Sequence, residues 1–370
     1  MIGILLAGAI GLAFTLLLTP VFIKGFNRLR WGQYIREDGP KEHFAKRGTP
    51  TMGGIVFVIG SIFAYFVACL LTQEAPTAAG LLVILMFLGH ALIGFIDDFL
   101  KVRKHQSLGL GGWQKIAGQI VVAALFALIG LQVVNDHGVP VVSSAISVFR
   151  DTDIDFMQLG LVVGTLAVVI WIVLVTTSTS NAVNVTDGLD GLATGASIFA
   201  IGSYGVIGYW QFNQLCHSER LSQQVAQGCY DVYAPLDMAM VAAAIVGSLA
   251  GFLWWNTSPA KLFMGDTGSL ALGGALAAMA IITRTELLLV VIAGLFVLDT
   301  GSVIVQRLYF KLTGGKRIFL MSPIHHHYEL KGWAEQTVVV RFWIVGVLFA
   351  ITGLALFYSE WSFASGMFGQ

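Results

Sequence analysis

Asp97 and Asp98 close the apolar stretch LIGFIDDFLK (92–101), and Lys101 follows one helical turn later. An ionised carboxylate at the centre of a bilayer helix costs roughly 2.5–3.5 kcal/mol, so a doubled acid at the tail of an apolar run needs a reason. Neighbours on a helix diverge by about 100°. That predicts two separate jobs, such as metal contact and proton handling, and not a symmetric grip on one ion. Asp97 and Lys101 share a helix face, where an ordinary surface ion pair would also account for them.

Three further clusters carry similar residue types. In NAVNVTDGLDG (181–191), Asn181, Asn184, Asp187 and Asp190 recur every third residue and form one polar stripe. Two amides and two carboxylates in a row suit a hydrated cation, the hydroxyls of a sugar, or a nucleoside. A capped helix start with turn glycines explains Asp190 or Gly191 singly, but not the stripe. In NTSPAKLFMGDTGS (256–269), Asp266 stands between Gly265 and Thr267 just ahead of an apolar run, as a ligand or as a helix N-cap. In SPIHHHYELKGW (322–333), His325, His326 and His327 would fan out on a helix, so all three cannot hold one metal ion. Carboxylate oxygens dominate the set and favour Mg²⁺ over Zn²⁺, which leaves the imidazoles as phosphate donors. SLGLGG (107–112) matches neither the P-loop nor the dinucleotide fingerprint. Asp299 lies inside an apolar run, where an ionisable group is a functional candidate or pairs with a polar neighbour.

The elements that must position these residues follow from composition. The chain has 370 residues, 56% hydrophobic and 11% charged, with mean hydropathy +0.79. Soluble domains carry about 25% charged residues, so this is an all-α integral membrane protein. A formal net charge of zero points to no nucleic-acid partner. Apolar runs at 2–24, 52–72, 78–99, 115–134, 159–178, 192–212, 236–256, 268–283, 286–310 and 338–358 predict ten transmembrane helices in a single polytopic domain. The first run has its cations after it, the reverse of a secretory signal, which predicts a retained anchor with the N-terminus outside. Of 21 Lys and Arg, only Arg150, Arg220 and Arg284 then fall in outer loops; the other 18 lie inside. Ten spans return the C-terminus to the outside. Cys69 sits in the second span, while Cys216 and Cys229 share an outer loop, where oxidation can join them.

On this map all the clusters face the cytoplasm at the membrane interface. Carboxylates, Mg²⁺ and cations together describe phosphoryl-group chemistry, with one lipid substrate and one soluble phosphorylated substrate. An ion-coupled transporter is the other class. It would place its acids near the midplane on broken helices, usually within repeats. Here the acids gather at one interface, the two halves show no repeat, and only Asp299 argues for transport.

At these motifs the chain resembles the polyprenyl-phosphate sugar-1-phosphate transferases. The resemblance runs in order through GPKEHFAKRGTPTMGG, DDFLK, NAVNVTDGLDGLATG, FMGDTGSLALGG and SPIHHHYELKGW, and covers essentially the whole chain. The triple His is similar to the branch whose donor is UDP-N-acetylmuramoyl-pentapeptide, and unlike relatives that take UDP-N-acetylglucosamine. The resemblance implies attack by undecaprenyl phosphate on the donor, release of UMP, and formation of the first lipid-linked peptidoglycan precursor with Mg²⁺ as cofactor. It implies a multi-pass protein of the bacterial cytoplasmic membrane, commonly a homodimer, inhibited by nucleosides that mimic uridine. By motif, Asp97 and Asp98 match the family's Asp pair, Asp266 its magnesium ligand and Asp190 an aspartate at the nucleotide site. Gly191, Leu192, Asn256 and Phe263 match positions around the uridine, with Phe263 stacking on the base. Lys46, Thr51, Lys101 and Lys115 match positions near the phosphates. His325 and His326 match the catalytic His cluster, and Asn184, Asp187 and His327 border the donor. Many members carry Glu where this chain has Asp299. The side chain here is one methylene shorter, which weakens a substrate role and leaves a structural one.

Overall fold

The computed structural model describes residues 1–29, 31–32, 48–104, 106, 108–218, 221 and 223–367. Twelve α-helices follow in chain order: α1 (Ile2–Arg28), α2 (Gly54–Thr72), α3 (Ala78–Lys104), α4 (Gly112–Gln132), α5 (Leu161–Thr186), α6 (Leu192–Asn213), α7 (Pro235–Asn256), α8 (Gly265–Ile282), α9 (Leu289–Ile292), α10 (Gly294–Leu312), α11 (Ile324–Leu330) and α12 (Glu335–Ala364). Strands β1 (Ala145–Ser147) and β2 (Asp151–Asp155) form one antiparallel hairpin between α4 and α5. Among the described residues, nine helices (α1–α8 and α12) are long and apolar enough to cross a membrane.

The tenth expected span, residues 286–310, is not one clean helix. It divides into α9 and α10 at Ala293, and α10 carries Asp299, Arg307 and Lys311. Connectivity nevertheless requires this pair to run the length of the bundle. The Tyr209 hydroxyl, near the end of α6, donates to the Met1 sulfur at 3.3 Å. At the other end of α6, the Asp190 amide donates to Glu335 at the start of α12 at 3.0 Å. The start of α1 and the finish of α12 therefore share one end of the molecule. Nine traverses would separate them, and the α9–α10 pair supplies the even number.

α8 forms the centre of the bundle. Every residue from Thr267 to Ile282 is buried, packed chiefly by α3 and α5. It is also among the less apolar of the nine long helices, because Gly, Ala and Ser permit close approach where neighbouring helices surround it.

The end far from the acidic clusters is tied by polar contacts. Cys216 and Cys229 are joined in a disulfide. Arg150 donates to the Gly228 carbonyl at 2.8 Å, contacts the Cys229 carbonyl, pairs with Glu360 at 2.8 Å and lies over the Tyr230 ring. Buried Glu286 accepts from the Ser147 amide at 2.7 Å and its hydroxyl at 2.5 Å. Burial pushes this carboxyl up to about 7, against the opposing pull of the Ser147 bonds and Arg284. Its folded value exceeds the ordinary 4.5, so between those values the folded state holds the extra proton. Stability from this group is present in full below about pH 4.5 and is lost as pH rises through about 7. We expect Glu286→Gln to flatten this fall and to melt above the parent chain at pH 8, by at most about 3 kcal/mol. Thermal melting in detergent from pH 5 to 8 checks it, and parallel curves for the two proteins would rule it out.

Candidate active site

The last two turns of α3, the first turn of α4, the last turn of α5 and the first turn of α8 meet at one end of the bundle. There Asp97, Asp98 and Asp266 each bring a carboxylate oxygen within 4.8 Å of the others. The predicted divergence of Asp97 and Asp98 thus excludes a symmetric grip but not convergence. The two residues differ in surroundings. Asp97 Oδ1 accepts from the Leu110 amide at 2.6 Å, and its Oδ2 lies 2.6 Å from Lys101 Nζ and 3.1 Å from Lys115 Nζ. Asp98 Oδ2 accepts from both the amide and the hydroxyl of Thr267, at 2.9 and 2.8 Å.

Those bonds revise the N-cap reading of Asp266. Asp266 lies inside the first turn of α8, and the cap residue is Met264, which offers no side-chain bond. The orphan amide of Thr267 is satisfied from another helix, by Asp98, whose negative charge also suits a helix N-terminus. Asp266 is left to face the cations: Oδ2 lies 2.5 Å from Lys115 Nζ and 3.2 Å from Lys101 Nζ. Its Oδ1 accepts from Asn184 Nδ2 at 3.1 Å, and the same amide donates to Ser269 Oγ at 2.8 Å. Gly265 opens α8 with φ +73°, and a Cβ there would stand 2.5 Å from Asp98 Oδ2, so this turn admits only glycine without displacing the acid.

The loop from α5 to α6 carries the rest of the polar stripe. Burial, with Asp266, Asp98 and Asp190 adding to it, raises the Asp187 carboxyl well above the usual range, while Lys101 opposes. Asp190 Oδ2 accepts from the Ala260 amide at 3.0 Å. Glu335 clasps the same region, taking the Asp190 amide at 3.0 Å and the Ser258 hydroxyl at 3.3 Å. Asn256 is bonded inward at both ends of its amide, from Thr194 at 2.6 Å and to the Leu262 carbonyl at 2.9 Å. It therefore shapes the 257–264 loop from within. On that loop Phe263 is held by its backbone, its amide donating to Pro50 and its carbonyl accepting from Gly53 at 2.9 and 2.8 Å. Its ring is part-exposed, and no other described ring stacks on it. Thr51 is buried beside this junction. Gly191 caps α6 in the left-handed region, and Leu192 is fully buried behind it. Lys46 lies outside the described residues.

α11 brings in the histidines. His325 is fully buried, and its Nδ1 lies 2.7 Å from Asp299 Oδ2, also fully buried. A carboxylate only accepts, so Nδ1 carries the proton. Asp299 thus has a structural partner. The Nε2 of His325 has no hydrogen-bond partner among the described residues, and it faces Gly188, where a Cβ would stand 2.4 Å away. His326 Nδ1 lies 2.6 Å from Glu329. His327 Nδ1 accepts from the Leu320 amide at 3.0 Å, and its ring packs on Phe319 and Tyr328. The three imidazoles therefore have three different environments, as the helical fan predicts.

The glycosyl transferase family 4 model matches residues 80–284, and the phospho-N-acetylmuramoyl-pentapeptide-transferase signature 1 matches residues 46–58. The chain is 62% identical over 367 residues to the phospho-N-acetylmuramoyl-pentapeptide-transferase of Clavibacter michiganensis subsp. michiganensis, covering 98% of this chain and 99% of that one. This chain belongs to the phospho-N-acetylmuramoyl-pentapeptide-transferase family. The transferase of the same name from Clavibacter sepedonicus is 61% identical with the same coverage. That of Streptomyces avermitilis is 51% identical over 360 residues, 97% of this chain and 98% of the relative. The family model spans every helix that contributes to the carboxylate cluster, from α3 through α8. Sequence reasoning passed over Thr267, Ser269, Gly188 and Glu335. Three of the four lay inside motifs quoted for other residues, whereas Glu335 acts through a contact between residues far apart in the chain.

Proposed function

We propose that this chain transfers phospho-N-acetylmuramoyl-pentapeptide from its UDP donor to undecaprenyl phosphate, giving the first lipid-linked peptidoglycan precursor and UMP. The observation that carries this reading is the convergence of three carboxylates and two ammonium groups at one end of a membrane bundle of this family. An oxygen of the lipid phosphate bonds to the donor phosphorus that bears the sugar. The bond from that phosphorus to the oxygen bridging to UMP breaks, and UMP leaves with the electron pair.

The oxygen-only donor set of Asp97, Asp98 and Asp266 fits Mg²⁺. Bound there, the ion would neutralise phosphate charge and orient the diphosphate. Lys101 and Lys115 already hold cationic charge against these acids and are placed to shift it onto incoming phosphates. One carboxylate of the Asp97–Asp98 pair accepts a proton from a singly protonated lipid phosphate; Asp98 Oδ2 is engaged by Thr267, and both oxygens of Asp97 are engaged, by the Leu110 amide and the two ammonium groups. His325 Nε2, fixed through Asp299, supplies a hydrogen-bonding group at the Gly188 turn on the donor side.

The acidic end is taken to face the cytoplasm and both termini the outside of the bacterial cytoplasmic membrane. The placement of 18 of the 21 Lys and Arg in the inner segments supports this. Uridine stacks on Phe263, and nucleoside inhibitors compete there with the donor. Removing the ring in Phe263→Ala should weaken binding of a uridine-type inhibitor by about 1–3 kcal/mol, the scale of base–aromatic stacking. Calorimetry on the purified protein reads this directly, and unchanged affinity would move the base elsewhere. Release of UMP from labelled donor, with undecaprenyl phosphate and Mg²⁺ present, tests the function as a whole. A purified, folded chain that releases none would overturn it.

A further inference from the structure

A second layer of polar contacts lies one helical turn deeper than the carboxylate cluster. Gln119 on α4 is fully buried. Its Oε1 accepts from Asn181 Nδ2 at 2.9 Å, and its Nε2 donates to Ser180 Oγ at 3.2 Å. The Ser180 hydroxyl, also fully buried, donates onward to the Leu270 carbonyl of α8 at 3.1 Å. Three helices are thus joined by one continuous relay. Each anchor stands four positions from a residue of the site: Gln119 from Lys115, Ser180 from Asn184, and Leu270 from Asp266. Residues four apart on a helix share a face, so the relay repeats the geometry of the site one turn down.

The relay matters most to α4. Its buried residues are Gln119, Ala123, Phe126, Ala127 and Gly130, and only Gln119 lies near the Lys115 end. Trp113, Ile120 and Val121 on the same stretch are exposed. Apolar packing at this end of α4 is light, with Gly118 close against the Ile93 side chain, and the Gln119 amide adds a directional constraint on its rotation. A small rotation there would swing the Lys115 ammonium off Asp266 Oδ2 and Asp97 Oδ2, now 2.5 and 3.1 Å away.

We propose that Gln119, through Ser180 and Asn181, is a positioning residue that sets the rotation of α4 and so holds the Lys115 ammonium against the Asp97–Asp266 carboxylates. This rests on the reading of the cluster as the transferase site. Loss of the relay frees the ammonium from the acids, which has two consequences. Turnover falls, because the cation is out of place. The cluster also becomes more negative and takes up Mg²⁺ at lower concentration.

The test uses the full-length protein in detergent as Gln119→Leu, Lys115→Met and the double variant. Two quantities are read: transfer rate, and the Mg²⁺ concentration at the midpoint of the metal-induced rise in melting temperature without substrates. Gln119→Leu should slow transfer at least about tenfold and lower the Mg²⁺ midpoint at least about threefold, in the direction of Lys115→Met. The double variant should be no slower than Lys115→Met alone. Multiplying losses with an unmoved midpoint would mean a merely structural glutamine and would overturn the proposal. Should Gln119→Leu fail to fold, Ser180→Ala removes one hydroxyl of the relay and must shift the midpoint the same way, or the proposal fails. Absence of product from the unaltered chain would instead count against the transferase reading, while the midpoint comparison would still judge the relay.

Discussion

Asp266→Asn is expected to reduce transfer by at least about 10²–10³-fold, the cost of removing a group that stabilises developing charge, while leaving the melting temperature almost unchanged. The stability half of this expectation comes from local charge. Asp97, Asp98 and Asp266 face Lys101 and Lys115, a formal excess of one negative charge. The asparagine variant balances that cluster, and its carbonyl can still accept from Asn184 Nδ2, now 3.1 Å away. What it loses is a charged oxygen that the two ammonium groups and a metal ion compete for. The measurement is product formation across a Mg²⁺ series, beside melting with and without Mg²⁺. A variant that turns over near the parent rate at limiting Mg²⁺ would remove Asp266 from the site. One that melts far below the parent would show the acid to be structural.

Gly188→Ala should cost about 10²-fold in transfer, through displacement of a group from its working position. The added Cβ would stand 2.4 Å from His325 Nε2 and 3.3 Å from His326 Nε2, so an imidazole or the loop must move. His325 cannot yield easily, because its other nitrogen is tied to buried Asp299 at 2.7 Å. The diagnostic arm is His325→Ala combined with Gly188→Ala. Once the ring is gone the methyl has space, and the second substitution should add almost nothing. Full activity in Gly188→Ala, or independent losses in the combination, would show that the contact does not matter.

Much of the architecture was legible because bilayer physics is strict. Apolar runs of sufficient length marked all nine long helices, but α5 continues to Thr186 and α12 to Ala364, beyond the expected ends at 178 and 358; in α5, polar residues such as Asn181 and Asn184 stay helical past the apolar run. The tenth failed as one helix at Ala293, whereas the charges Asp299, Arg307 and Lys311 lie inside the unbroken α10 and mark its lower apolarity, not the break. The acids of the site could be picked out because charge is rare in such a chain. Their division of labour could not. Asp98 and Thr267 are 169 positions apart, and periodicity says nothing of bonds between distant helices. The same holds for Asp299, which the sequence left between transport and structure and which the fold assigns to His325. Gln119 was hidden for the opposite reason: one amide in an apolar run is unremarkable until its partners Ser180 and Asn181 on α5, and the bond from Ser180 to α8, are known.

The central place of α8 bears on how the protein is made. Ribosomes deliver helices to the membrane in order, and α8 follows α3 and α5 by a long interval. Until it comes, Asp98 lacks the Thr267 donors, the Ser180 hydroxyl lacks the Leu270 carbonyl, and Asn184 lacks Asp266 and Ser269. In turn α8, short and small-residue-rich, gains from those waiting groups what its own side chains lack for entry into lipid. The acidic end is therefore complete only with α8 in place, and a chain lacking it would leave the Asp98 carboxylate, the Ser180 hydroxyl and the Asn184 amide without these partners.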